Sequence, residues 1–89
     1  MARYLAIGDA PQLSEEDFRG ALNASKKWRI DRQSFVVKAY LSKADGKLVV
    51  ECETPERARF EGWLANTGWG ITDIHRIDLI HEAGTIWPV

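Results

Sequence analysis

The stretch on which the fold turns is Phe35-Val36-Val37-Lys38-Ala39-Tyr40-Leu41-Ser42, a connection ending in Ala44-Asp45-Gly46, and Lys47-Leu48-Val49-Val50-Glu51-Cys52-Glu53. Both runs alternate with period two, the signature of strands whose two faces meet different surroundings. Asp45-Gly46 between them is a short hairpin signal, because both residues tolerate positive φ. The parity predicts Phe35, Val37, Ala39 and Leu41 on one face of the first strand and Leu48, Val50 and Cys52 beside them on the second. It leaves Val36, Lys38, Tyr40 and Ser42, with Val49, Glu51 and Glu53, on the other face.

An amphipathic helix is predicted on either side of this hairpin. Ser14 starts the first. Its hydroxyl can cap, Asp17 takes the reciprocal position three residues on, and Glu15, Glu16 and Asp17 suit the positive end of the helix dipole. Phe18, Ala21, Leu22 and Ser25 form its apolar stripe, Lys26 and Lys27 sit in its last turns, and Trp28 folds back over the core. The second helix starts with Thr54 as cap, Pro55 at the first helical position and Glu56 in the first turn. Phe60, Trp63, Leu64 and Thr67 then recur at i, i+3, i+4, i+7, and Gly68 is the expected left-handed end. Tyr4 to Ile7 reads as a strand before the first helix. Ile71 to His81 reads as a strand after the second, with a slip of parity between 77 and 80 that signals a bulge or a change of neighbour. The order β-α-β-β-α-β is that of a ferredoxin-like α+β sandwich: a four-stranded antiparallel sheet with two helices on one face, in one domain spanning residues 1–89.

Composition excludes several classes. A formal net charge of -1 with mixed signs makes no broad positive field, which argues against nucleic acid and anionic membranes as partners. The one cysteine, Cys52, leaves no internal disulfide or thiolate cluster and fits a reducing, cytoplasmic setting. The opening Met1 to Gly8 is too short an apolar stretch for a signal peptide, and no run is long enough to span a bilayer.

With both helices on one side, the opposite sheet face must be wet, covered or used. Parity places Tyr4, Ala6, Val36, Lys38, Tyr40, Val49, Glu51, Glu53 and His75 or Arg76 there. This mixture, with the apolar tail Trp87-Pro88-Val89, points to a homodimer packed face to face with the tail reaching across the join. Tyr4, Lys38, Tyr40, Glu51 and His75 are the candidate ligand-binding cluster; a Lys38–Glu51 cross-strand ion pair is the plainer reading of its centre. His75 and His81 are the only histidines and the candidate metal ligands. On one straight strand they would stand roughly 20 Å apart, so a shared ion needs a bend or a second subunit. No P-loop, dinucleotide fingerprint, nucleophile elbow or H-E-x-x-H motif is present, and no cofactor is implied.

Met1-Ala2-Arg3-Tyr4-Leu5, Leu13-Ser14-Glu15-Glu16-Asp17, Tyr40-Leu41 before Asp45-Gly46-Lys47, Cys52-Glu53-Thr54-Pro55-Glu56 and Asp73-Ile74-His75-Arg76-Ile77 together resemble a family of small, uncharacterised bacterial ferredoxin-like proteins, some described as nickel-binding-protein-like. Where that family often carries His-Ser before the second-strand tyrosine, this chain has Lys38-Ala39. The resemblance therefore implies a ferredoxin-like dimer ahead of a nickel site. The functional expectation is a homodimer binding a small ligand or divalent metal on the open sheet face. The alternative is a cofactor-free dimeric isomerase or monooxygenase in which His75 or Glu51 moves a proton. A single-stranded nucleic-acid binder stacking bases on Tyr4 and Tyr40 is disfavoured by Glu51 and Glu53 beside them.

Overall fold

The structure is a computed structural model that describes residues 1–25 and 27–89, without the side chains of 23–25, 27 and 28. Four strands form one antiparallel sheet: β1 (Ala2–Asp9), β2 (Phe35–Ser42), β3 (Lys47–Thr54) and β4 (Gly70–Arg76), in the order β2-β3-β1-β4. Helix α1 (Glu15–Asn23) joins β1 to β2 and helix α2 (Arg57–Thr67) joins β3 to β4. A separate C-terminal hairpin, β5 (Leu79–Glu82) with β6 (Thr85–Pro88), follows. Among the described residues, no helix is long and apolar enough to cross a membrane.

Strand β3 lies between β1 and β2, and its alternation is complete: Leu48, Val50, Cys52 and Thr54 are all fully buried. Register carries that phase to β1, where Tyr4 pairs with Cys52, Ala6 with Val50 and Gly8 with Leu48. Directly paired residues in antiparallel strands share a face, so Tyr4 and Ala6 belong to the helix side, not to the open face where parity alone put them. Arg3, Leu5 and Ile7 stand on the open face instead. The β1 run is apolar at every position from Tyr4 to Ile7, so its own pattern carries no phase; only its partner supplies one.

On β2 the phase changes midway. Val36 pairs with Cys52 but Lys38 pairs with Glu51, so the bulged residue is Val37. Val36 is consequently buried, 7% exposed, while Val37 is 38% exposed, the reverse of the uniform alternation. Beyond the bulge Ala39 and Leu41 face the core and Lys38 and Tyr40 the open side, as expected. Phe35 pairs with Glu53, off the helix side. The β2–β3 connection is a four-residue loop, 43–46, in which Gly46 alone has positive φ (64°) and the Ser42 hydroxyl accepts from the Asp45 N–H at 3.2 Å.

Helix α1 opens as the sequence indicates, with the Asp17 N–H donating to Ser14 Oγ at 3.1 Å. Phe18, Ala21 and Leu22 pack on the core. The helix ends at Asn23, and Ala24–Ser25 pairs with Lys27–Trp28 in a short parallel ladder, so Ser25 and Lys27 lie beyond the helix the sequence predicted. Lys26 and the packing of the Trp28 side chain fall outside the described residues. Helix α2 opens differently. Its N-cap is Glu56 in an extended conformation without a side-chain cap. Thr54, read as the cap, ends β3 as a buried residue: its Oγ1 lies 2.7 Å from Ser34 Oγ, accepts from the Glu56 N–H at 3.3 Å and donates to the Glu56 carbonyl oxygen at 3.0 Å. Phe60 and Leu64 are buried and Trp63 half-buried, and Gly68 closes the helix at φ 73°.

Trp69, next in the chain, joins the two helices. Its ring lies 5.9 Å from Phe18 and 5.6 Å, edge on, from Trp63. Gly8 and Gly70 allow β1 and β4 to meet there; a Cβ on Gly70 would stand 2.6 Å from the Asp9 carbonyl oxygen. The chain then leaves the sheet at Ile77, whose N–H donates to the Arg3 carbonyl oxygen at 2.9 Å. The parity slip is thus a change of neighbour, with β5 pairing β6 through a two-residue turn, Ala83-Gly84, at φ 50° and 87°.

Two outcomes are expected. Thr54→Val removes the buried bond to the Ser34 hydroxyl together with those to the Glu56 backbone and should cost about 1–3 kcal/mol, whereas Ser34→Ala with Thr54→Val should recover part of it, read from urea midpoints as a double-mutant cycle. Ala83→Asn places a residue that accepts positive φ in the turn and should raise stability by about 0.5–1 kcal/mol in thermal melts if the hairpin is part of the cooperative unit.

Candidate functional site

The C-terminal hairpin turns its Ile80–Trp87 pair inward and its Leu79–Pro88 and His81–Ile86 pairs outward, since facing pairs alternate sides. Ile80 and Trp87 are half-buried, while Leu79 and Ile86 are 67% and 66% exposed. Between hairpin and sheet lies a cleft of about 240 Å³. Its floor is Arg3, Val37, Lys38, Tyr40 and Glu51, and its roof is Ile80, His81, Glu82 and Trp87. The open face is therefore partly covered by the chain itself, and Trp87 lies against its own sheet, where the sequence suggested a reach toward a partner.

Charges in the cleft are paired, though not as parity suggested. Arg3 bridges the two carboxylates of β3, Nη1 at 3.1 Å from Glu51 and Nη2 at 3.7 Å from Glu53, with all three side chains largely buried. Lys38 instead reaches Glu82 of the hairpin at 3.6 Å and lies 5.9 Å from the Tyr40 ring centre. The Tyr40 phenol oxygen, and then Glu82, hold the Lys38 pKa above the ordinary lysine value, so the ammonium is charged throughout the neutral range. This pair is the only ion pair between hairpin and sheet among the described residues.

Of the candidate ligand-binding residues, the fold brings Lys38, Tyr40 and Glu51 together and sets two apart. Tyr4 is packed against the core on the helix side. His75 pairs with Leu5 on β4, exposed on the open face but away from the cleft lining. His81 stands at the rim of the cleft, on the outward side of the hairpin with Ile86. The two histidines sit on different elements, and among the described residues no three His, Cys, Asp or Glu side chains converge as a metal-binding group. Glu51, His81 and Glu82 share the cleft, but each carboxylate is already held by a cation. Cys52 is no nucleophile here: burial first, then Asp31 and Glu53, push its thiol up to about 12.

Sequence reasoning missed Arg3, Ile80 and Glu82. Arg3 follows from the correct phase of β1. The other two needed the Ala83-Gly84 turn, whose alanine is not a residue that signals positive φ.

No protein-family model matches the chain, and no curated protein matches it either. Among solved structures, the crystal structure of SCO4226 from Streptomyces coelicolor A3(2) superposes with a TM-score of 0.73 over 90% of this chain and 100% of that one, at 16% identity. At that identity the likeness is one of fold alone.

Proposed function

We propose that the chain is a ferredoxin-like domain that works as a homodimer and binds a small molecule in the cleft between its sheet and its C-terminal hairpin. The observation that carries this reading is the convergence of Lys38, Tyr40, Glu51 and Trp87 on one cavity whose aliphatic walls are Val37 and Ile80, with His81 at its rim. Ligand sites combine apolar walls with a few oriented polar groups, and about 240 Å³ is below the ~300–1,000 Å³ of drug-sized pockets, so the ligand is small. Tyr40 and Trp87 favour a flat, partly aromatic one. A divalent ion would have to draw Glu82 from Lys38 and Glu51 from Arg3, which favours the organic ligand over the metal.

The homodimer rests on the outward face of the hairpin. Leu79 and Ile86 are exposed beside Pro88, and a two-stranded hairpin by itself is marginal in water. With Val37 and Tyr40 also exposed nearby on β2, a second copy of the same surface would cover apolar area that one copy leaves wet.

Val37→Trp should fill the cleft without removing a polar group. Small aromatic fragments screened by ligand-observed NMR should bind the wild type, shift the Tyr40, His81 and Trp87 resonances, and lose binding in that variant; fragments that bind both equally would refute the site. Zinc or nickel chloride titrated the same way should leave the His81 ring unmoved, and saturable shifts there would favour the ion instead. For association, sedimentation at micromolar concentration should give a dimer for the full chain and a monomer for Ile86→Lys. A monomeric wild type would end the dimer reading without touching the cleft.

A further inference from the structure

On the helix side, at the end of the sheet where β1 gives way to α1 and α2 to β4, lies a second concavity of about 640 Å³. It is independent of the cleft under the hairpin and shares no residue with it. One wall is the loop after β1 with the first turns of α1, and the other is the end of α2 with the Gly68-Trp69-Gly70 turn.

Its floor is apolar. Leu13, Ala21 and Trp69 line it, and the indole is held rigid between Phe18 and Trp63. Its charged side chains are all acidic, and the amino end of α1, which Asp17 complements, is the positive element beside them. Asp9 and Asp17 line the groove and no cationic side chain does. Asp9 is answered from outside by Lys47, whereas the Asp17 carboxylate has no ion-pair partner among the described residues. The carboxyl end of α2 also opens here, and its last turn contains no basic residue, so its partial negative charge is left uncompensated. Thr67 donates to the Leu64 carbonyl oxygen at 2.6 Å, which satisfies one end carbonyl without adding a positive charge.

We infer that this groove binds small organic ammonium compounds, a primary amine carried on an aromatic or apolar body. The ammonium would sit between Asp17 and the end of α2, and the apolar body would lie on Leu13, Ala21 and the small part of Trp69 that reaches the groove. A carboxylate ligand would meet the Asp9 and Asp17 carboxylates and the end of α2, against an α1 amino end that Asp17 already complements. A neutral ligand of the same shape would gain the floor and forgo the rim.

A series with one ring and three charges tests it: phenethylamine, 2-phenylethanol and phenylacetate, each titrated into the full chain and followed by backbone amide NMR. Phenethylamine should shift the amides of Leu13, Ala21 and Gly68 to Gly70 and bind about five- to tenfold more tightly than the alcohol, the size expected of one partly screened charge contact. Phenylacetate should not bind. Asp17→Asn keeps the backbone N–H that Ser14 caps and should erase the preference for the amine over the alcohol. Ala21→Leu should fill the floor and weaken both, with near-UV circular dichroism of the tryptophans unchanged. Equal affinity for the three compounds, an unaltered preference in Asp17→Asn, or shifts confined to the hairpin cleft would each overturn the inference.

Discussion

Everything else in the molecule takes its phase from β3. Its buried row, Leu48, Val50, Cys52 and Thr54, is hydrogen-bonded on both edges and cannot slip by one residue without exposing the whole row. Register transmits that alternation to β1, which has none of its own, and the helices then cover the side on which the row stands. The row ends in Thr54, whose hydroxyl binds Ser34 and so ties the entry of β2 to the exit of β3. A hydroxyl pair at 0% exposure is tolerable because each bonds the other and Thr54 Oγ1 is also bonded to the Glu56 backbone.

The fold was legible where a local rule and the tertiary structure agree. The Ser14 cap, the Phe60–Leu64 stripe, the left-handed Gly68 and the β3 alternation each depend on a few neighbouring residues. What could not be read depends on partners distant in sequence. The bulge at Val37 exchanges the fates of Val36 and Val37, two identical side chains, so no pattern of residue types could announce it. Thr54-Pro55-Glu56 has the chemistry of a helix start, but the strand continues through Thr54 because its side chain is worth more inside, bonded to Ser34, than as a cap at the surface. The candidate site was half legible for the same reason. Lys38, Tyr40 and Glu51 follow from β2 and β3 alone, while Arg3, His81 and Trp87 arrive from β1 and the hairpin.

Charge placement shows how one register decides chemistry. A Lys38–Glu51 pair is what two facing strands would form in isolation. Adding β1 puts Arg3 on the far side of Glu51 and next to Glu53, and a guanidinium can hold two carboxylates where an ammonium holds one well. Lys38 is thereby released toward the hairpin, where Glu82 meets it. The contact that fastens the roof of the cleft is thus a consequence of which cation the central carboxylates prefer.

The two concavities differ in what a ligand must displace. In the hairpin cleft the charges of Arg3, Glu51, Lys38 and Glu82 are matched internally, with the Arg3 Nε–H the one buried donor left unpartnered among the described residues, so a charged ligand competes with existing pairs and shape with aromatic contact carries most of the affinity. In the groove beside Trp69 no internal cation lines the wall, and the end of α2 adds to the negative rim rather than cancelling it. A ligand cation at Asp17 displaces no side-chain cation. Selectivity for charge should therefore belong to the groove and selectivity for shape to the cleft, two separable properties on opposite sides of one sheet.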